Sequence, residues 1–177
     1  MTDRRLFFAL WPDPPVQLVL HERQEQLLGD TPGRLTAMAH LHLTLVFLGQ
    51  VAAALCERLQ QGRVPPLGEF ELRLDTVGYW RKPQIFWLGS RRRSEPLVAL
   101  VAELRRQCMA LGLEVDQRDF VPHITMARRV RKPPPVRRFD PVIWPVRHCS
   151  LVASQFVPGG MNYQELARWP LDSSLPS

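Results

Sequence analysis

Two short stretches constrain this chain more than anything else in it. "LHLTLVFLG" at 41–49 and "PHITMAR" at 122–128 each hold a His, an apolar residue, a Thr and another apolar residue, and the second His comes 81 positions after the first. Side chains alternate across a β-strand, so residues two apart share a face. His42 and Thr44 then point one way, while Leu41, Leu43 and Leu45 point the other. The same alternation sets His123 and Thr125 against Ile124 and Met126. Each strand has an apolar back for a core and presents an imidazole and a hydroxyl on its front.

The rest of the chain is punctuated into strands and helices. Residues 4–11 read as a strand closed by Pro12. A helix follows over 13–29, with Asp13 as N-cap, prolines in its first turn and Gly29 as its stop. "TPGRLTAMA" reads as a loop, 40–49 as a strand, and 51–62 as a helix stopped by Gly62. "GEFELRLDTVGYW" (68–80) alternates throughout and predicts one half-buried antiparallel strand, with "QIFWLGS" (84–90) as its hairpin partner. The clearest helix spans 94–112, from Ser94 as N-cap to Gly112. Residues 120–128 read as a strand, 130–145 as a Pro/Arg-rich loop, and 146–156 and 163–171 as the last strands. Interleaved helices with several short strand connections predict an α+β fold of antiparallel sheet packed on helices. Each His-x-Thr strand follows a helix that follows another strand, an arrangement that suggests a diverged duplication about a pseudo-twofold. The length of 177 residues fits a single domain, 1–177, of two closely packed lobes.

Composition narrows the class. The start "MTDRRLFFALWPDPP" lacks the long apolar region and small-residue cleavage site of a secretory signal, and no apolar run reaches the roughly 18–20 residues of a membrane span. Cys56, Cys108 and Cys149 are odd in number and far apart, which argues against a disulfide framework and predicts buried thiols in a reducing cytoplasm. A formal charge of +6 favours anionic partners such as nucleic acid or nucleotides.

Two histidines on facing strands make a general acid and a general base, because imidazole titrates near neutrality. The two threonine hydroxyls suit phosphate oxygens, so the four side chains form a cradle for a phosphodiester. His21, His40 and His148 lack such a setting and read as surface or loop residues. A metal site is the rival reading, with "HLH" offering His40 and His42 on one face. Zinc, however, usually takes three or four protein ligands, and no Asp, Glu or Cys lies within three residues of either His42 or His123.

"LHLTLVFLG" and "PHITMAR" resemble the paired HxTx motifs of the 2H phosphoesterase superfamily. "RLFFALWPD", "IFWLGS" and "WPL" resemble its bacterial and archaeal branch, the RNA 2′,3′-cyclic phosphodiesterases or 2′-5′ RNA ligases. The resemblance runs from about Arg4 to Leu171. It implies a bilobal α+β fold, with the two motifs facing each other across a central cleft. It also implies hydrolysis of a terminal 2′,3′-cyclic phosphate on RNA to a 2′-phosphomonoester, without metal, ATP or other cofactor. His42 would be the proton donor to the departing 3′-oxygen, His123 the base that activates water, and Thr44 and Thr125 the holders of the phosphate oxygens. The expected partners are RNA with cyclic-phosphate ends or small cyclic nucleotides, met by a monomer with no membrane association.

Around these residues the expectations widen. Arg128 follows the second motif and suits a phosphate clamp, although simple alternation points it away from His123. The runs 91–93, 128–132 and 137–138 suit an RNA backbone path. Among the aromatics, Phe120 is the candidate base-stacking residue. The alternatives are the reverse reaction, ATP-independent 2′-5′ ligation; a related enzyme acting on small nucleotides; and an RNA-binding protein that uses the cleft without turnover.

Overall fold

The computed structural model describes residues 3–135 and 138–172. Its elements, in chain order, are β1 (Arg4–Leu10), α1 (Pro14–Leu28), β2 (Arg34–Leu35), a single tight helical turn at Met38–His40, β3 (Leu43–Val51), α2 (Ala53–Gln60), β4 (Phe70–Leu74), β5 (Thr76–Trp80), β6 (Ile85–Gly89), α3 (Glu95–Ala110), β7 (His123–Arg128), β8 (Val142–Val146), β9 (His148–Val157) and β10 (Gly160–Pro170). Pro14 and Pro15 fill the first turn of α1, where a missing N–H costs nothing. Asp13 makes no side-chain cap; its carboxylate pairs with Arg147 at 3.3 Å instead. Ser94 does cap α3, its Oγ accepting from Leu97 N at 3.4 Å.

An eight-stranded sheet runs β10-β9-β1-β3-β7-β6-β5, with β2 paired to β7 off that path. Every pairing is antiparallel. The two motif strands are neighbours at its centre, flanked by β1 on one side and β6 on the other. The units β1-α1-β3 and β6-α3-β7 therefore each run inward, from a flanking strand through a helix to a central motif strand.

Burying apolar surface decides which face is covered. Back-facing Leu6, Leu10, Leu43, Leu88 and Ile124 join Leu20 and Leu27 of α1 and Leu97, Leu100 and Leu104 of α3 in one core. The front carries only a small cluster, Phe7, Ala9 and Val152, with Trp11 and Tyr163 against it. The three cysteines are buried free thiols. Among the described residues no helix is long and apolar enough to cross a membrane.

Two expectations are corrected. Residues 68–80 are not one strand. The chain breaks at Asp75, so that β4 pairs with β8 in a separate two-stranded sheet while β5 pairs with β6. Alternation continues through the break, because Leu72 and Leu74 are buried and Glu71 and Arg73 exposed whichever sheet they join. Nor is all of 130–145 a loop, since β8 begins at Val142. It tolerates Pro145 because it pairs only with β4 and needs no N–H on its outer side.

Candidate active site

β3 and β7 meet at a single pair, Leu43 opposite Ile124, the middle residues of the two motifs. That register sets Thr44 beside His123 and His42 beside Thr125, with all four on the front face. Beyond this pair the strands part, and β7 pairs with β2 at Ala127 and Arg128. The buried Gln24 amide fills the fork, donating to Met126 O at 2.6 Å and Thr36 O at 2.9 Å.

The two imidazoles are held by the same device. His42 Nδ1 lies 2.7 Å from His40 O, and His123 Nδ1 lies 2.8 Å from Val121 O. A carbonyl oxygen only accepts, so each Nδ1 carries the hydrogen and each Nε2 is left for chemistry. His42 stacks flat on Trp11, with centroids 4.6 Å apart and planes 8° apart, and has Phe7 and Tyr163 at 5.3 and 5.4 Å. His123 meets Trp80 edge-on at 4.5 Å. Trp87 lies on the same face, its ring over Gly78, where a Cβ would come within 2.0 Å of it.

Burial among these rings lowers both imidazole pKa values. His42 falls from 6.5 to about 4, through desolvation first, against the hydrogen bond from its Nδ1 to His40 O; Coulomb repulsion from the Arg128 guanidinium pushes it lower. His123 shifts the same way by burial, with its bond to Val121 O opposing and Arg128 adding to the shift. Both rings are neutral at pH 7. Neither threonine hydroxyl has a hydrogen-bond partner among the described residues.

Arg128 reaches this face, contrary to simple alternation, because β7 carries a bulge. Thr125 pairs with Trp87 and Ala127 with Phe86, leaving Met126 extra. Met126 and Ala127 are both buried, the strand's parity flips, and Arg128 joins His123 and Thr125 on the front.

Phe120 is half-buried against the main core; the rings around His123 are Trp80 and Trp87. Arg137 lies outside the described residues. His40 belongs to no strand: it sits in the tight turn and packs its ring edge-on to Tyr163 at 4.9 Å. Among the described residues no three His, Cys, Asp or Glu side chains gather as a metal site. Sequence reading missed His40, Tyr163, Glu165 and Arg168, which with Trp11 and Val152 wall a cleft of about 330 Å³ next to His42. The period-two spacing of Tyr163 and Glu165 in the last strand was the one available signal.

The model of the 2′-5′ RNA ligase superfamily matches residues 12–155. The RNA 2′,3′-cyclic phosphodiesterase of Escherichia coli (strain K12) is 36% identical over 177 residues, spanning 95% of this chain and 97% of that protein. The protein of the same description from Thermus thermophilus is 32% identical over 94% of this chain and 90% of its own length. Among solved structures, E. coli LigT in complex with 3′-AMP superposes with a TM-score of 0.82 at 31% identity, covering 97% of this chain and 99% of that one.

Proposed function

This chain belongs to the 2′-5′ RNA ligase superfamily, and from that premise we propose that it hydrolyses terminal 2′,3′-cyclic phosphates with His42 and His123 as its acid–base pair. The observation that carries the reading is the matched setting of the two imidazoles, each with Nδ1 bound to the carbonyl two residues back and Nε2 free on one front face.

The cyclic phosphate seats between the motifs, with Thr44 and Thr125 donating to its oxygens and Arg128 pairing with its charge. His123 Nε2 takes a proton from water as the water oxygen bonds to phosphorus. The bond from phosphorus to O3′ breaks, and His42 Nε2–H gives its proton to that oxygen, leaving a 2′-phosphate and a 3′-hydroxyl. Both rings are neutral in the free protein, so one proton must arrive with the substrate. The phosphate anion opposes the desolvation and the repulsion from Arg128 that keep the pKa values low. The assignment of His42 as donor is supported by the site's shape: the leaving oxygen belongs to the sugar, so the nucleoside lies on the donor's side, and the aromatic cleft opens beside His42.

No metal enters these steps. Turnover of an RNA ending in 2′,3′-cyclic phosphate is expected to persist in EDTA and to yield the 2′-phosphate. His42→Ala and His123→Ala should each lower kcat by roughly 10²–10⁴ with the circular dichroism spectrum unchanged. Near-normal turnover in either variant sinks the mechanism. The reverse reaction, 2′-5′ ligation, is a second reading. It is favoured by a set of cations on the His123 side, where a 5′-hydroxyl would replace water. Arg81, Lys82, Arg129, Arg131 and Lys132 are all exposed there.

A further inference from the structure

We propose that the cleft beside His42 seats the base of the terminal nucleotide, and that Glu165, held in place by Ser150 and Arg168, makes it prefer guanine. The proposal rests on the hydrolytic reading for the side on which the nucleoside lies, and on the cleft's own chemistry for the base.

Another strand bulge builds the cleft. In β10, Glu165 pairs with Val152 and Ala167 with Leu151, leaving Leu166 extra. Leu166 and Ala167 both pack on the core side, so Arg168 lands on the same front face as Tyr163 and Glu165. The walls are aromatic. Trp11 lies 5.5 Å from Tyr163 with the planes at 65°, a corner that offers a face and an edge to a planar ring. The Trp11 indole is itself fixed, its Nε1 donating to Ala39 O at 3.2 Å. The same indole stacks on His42, so a base seated here hangs from a sugar within reach of the donor histidine.

The polar end of the cleft is an acceptor next to a donor. Ser150 is fully buried and its Oγ donates to Glu165 Oε2 at 2.7 Å. Arg168 Nε donates to both Glu165 oxygens, at 3.0 and 3.1 Å. These bonds orient the carboxylate without closing it: its side chain is 37% accessible, and a carboxylate has about four lone-pair sites. The terminal guanidinium nitrogens of Arg168 make no hydrogen bond among the described residues. Guanine presents two adjacent donors, N1–H and N2–H, beside the acceptor O6. Glu165 would accept the two and Arg168 would donate to the third. Adenine and cytosine offer a single amino donor, with a ring nitrogen lone pair beside it that faces the carboxylate. Uracil offers one N–H between two carbonyls. Glu165 and Arg168 are open to solvent in the free protein; a base that covers them displaces that solvent, and a wrong base then leaves them desolvated and unpaired.

The test compares kcat/KM for the 2′,3′-cyclic phosphates of guanosine, adenosine, cytidine and uridine, in the native protein and in Glu165→Gln. The native protein should prefer guanosine over uridine by roughly 10-fold or more, the discrimination of one good bidentate pair. Glu165→Gln should lower kcat/KM for guanosine roughly 10-fold more than for uridine and so erase the preference. Four substrates within two-fold of one another in the native protein, or an equal loss on all four in the variant, overturns the proposal. Calorimetric Kd values for guanosine and uridine 2′-monophosphates read the same preference without turnover. If no cyclic phosphate is hydrolysed, the reaction fails while tighter guanosine binding still upholds the subsite. Equal Kd values reject the subsite whatever the turnover.

Discussion

His42 and His123 use one residue-level device, an imidazole whose Nδ1–H is tied to the carbonyl two positions back. The bond removes tautomeric choice, and burial removes charge. This has a consequence for stability. His42 titrates at about 4 in the folded protein against an ordinary 6.5, and His123 shifts the same way. Between those values the unfolded chain binds protons that the folded one refuses, so stability falls as pH drops from about 6.5 toward 4. The urea midpoint should decline across that window, and decline less in His42→Gln, which has no proton to refuse. A variant whose midpoint tracks the native protein in parallel at every pH would show that burial of His42 exerts no such penalty. The buried thiols are inert by the same physics, with Cys108 pushed up to about 11 by desolvation.

At the level of elements, the spacing inside each motif was legible because period-two alternation is local. The bulges were not, because the neighbouring strand's register creates them. Leu45, Met126 and Leu166 are each the extra residue against a partner strand. Each moves the residue two further on to the front: Phe47, Arg128 and Arg168. Phe47 thus holds in β3 the place Arg128 holds in β7, and the cation there comes from outside the strand, Arg5 lying 5.0 Å over its ring. The break at Asp75 was hidden likewise, since a strand changing sheets keeps its alternation. So was the cleft, whose walls come from Trp11, His40 and Tyr163, far apart in the chain. The bulge in β7 can be read directly. With Arg128 on the front, Arg128→Ala removes a positive charge that depresses both histidines, so both should titrate at higher pH by NMR. If strict alternation held and the guanidinium faced away, neither midpoint would move.

The whole molecule carries a formal +6, and the architecture decides where that charge acts. The β5–β6 turn brings Arg81 and Lys82; the segment after β7 brings Arg129, Arg131 and Lys132. Val130 N donating to Gln84 O at 3.1 Å and Tyr79 Oη donating to Val130 O at 2.6 Å lock the two together. They flank Trp80, which meets His123 edge-on. The cations therefore gather on the His123 side, where the proposed mechanism has the nucleophile approach, away from the cleft beside His42. A water molecule has no use for them, whereas an RNA strand bringing a 5′-hydroxyl does. Such a strand should exclude water and inhibit hydrolysis of a cyclic mononucleotide, and its affinity should depend on salt. For single strands each phosphate contact adds about 0.7 to the slope of log affinity against log salt, so about three contacts weaken binding about 15- to 20-fold between 50 and 200 mM salt. The inhibition constant of a short 5′-hydroxyl oligoribonucleotide, measured over that range, reads the slope. Replacing Arg131 and Lys132 with Ser should flatten it. Replacing Arg106, paired with Glu103 on α3, should not. A salt-independent inhibition constant would separate this basic surface from RNA binding and leave the second reading without its support.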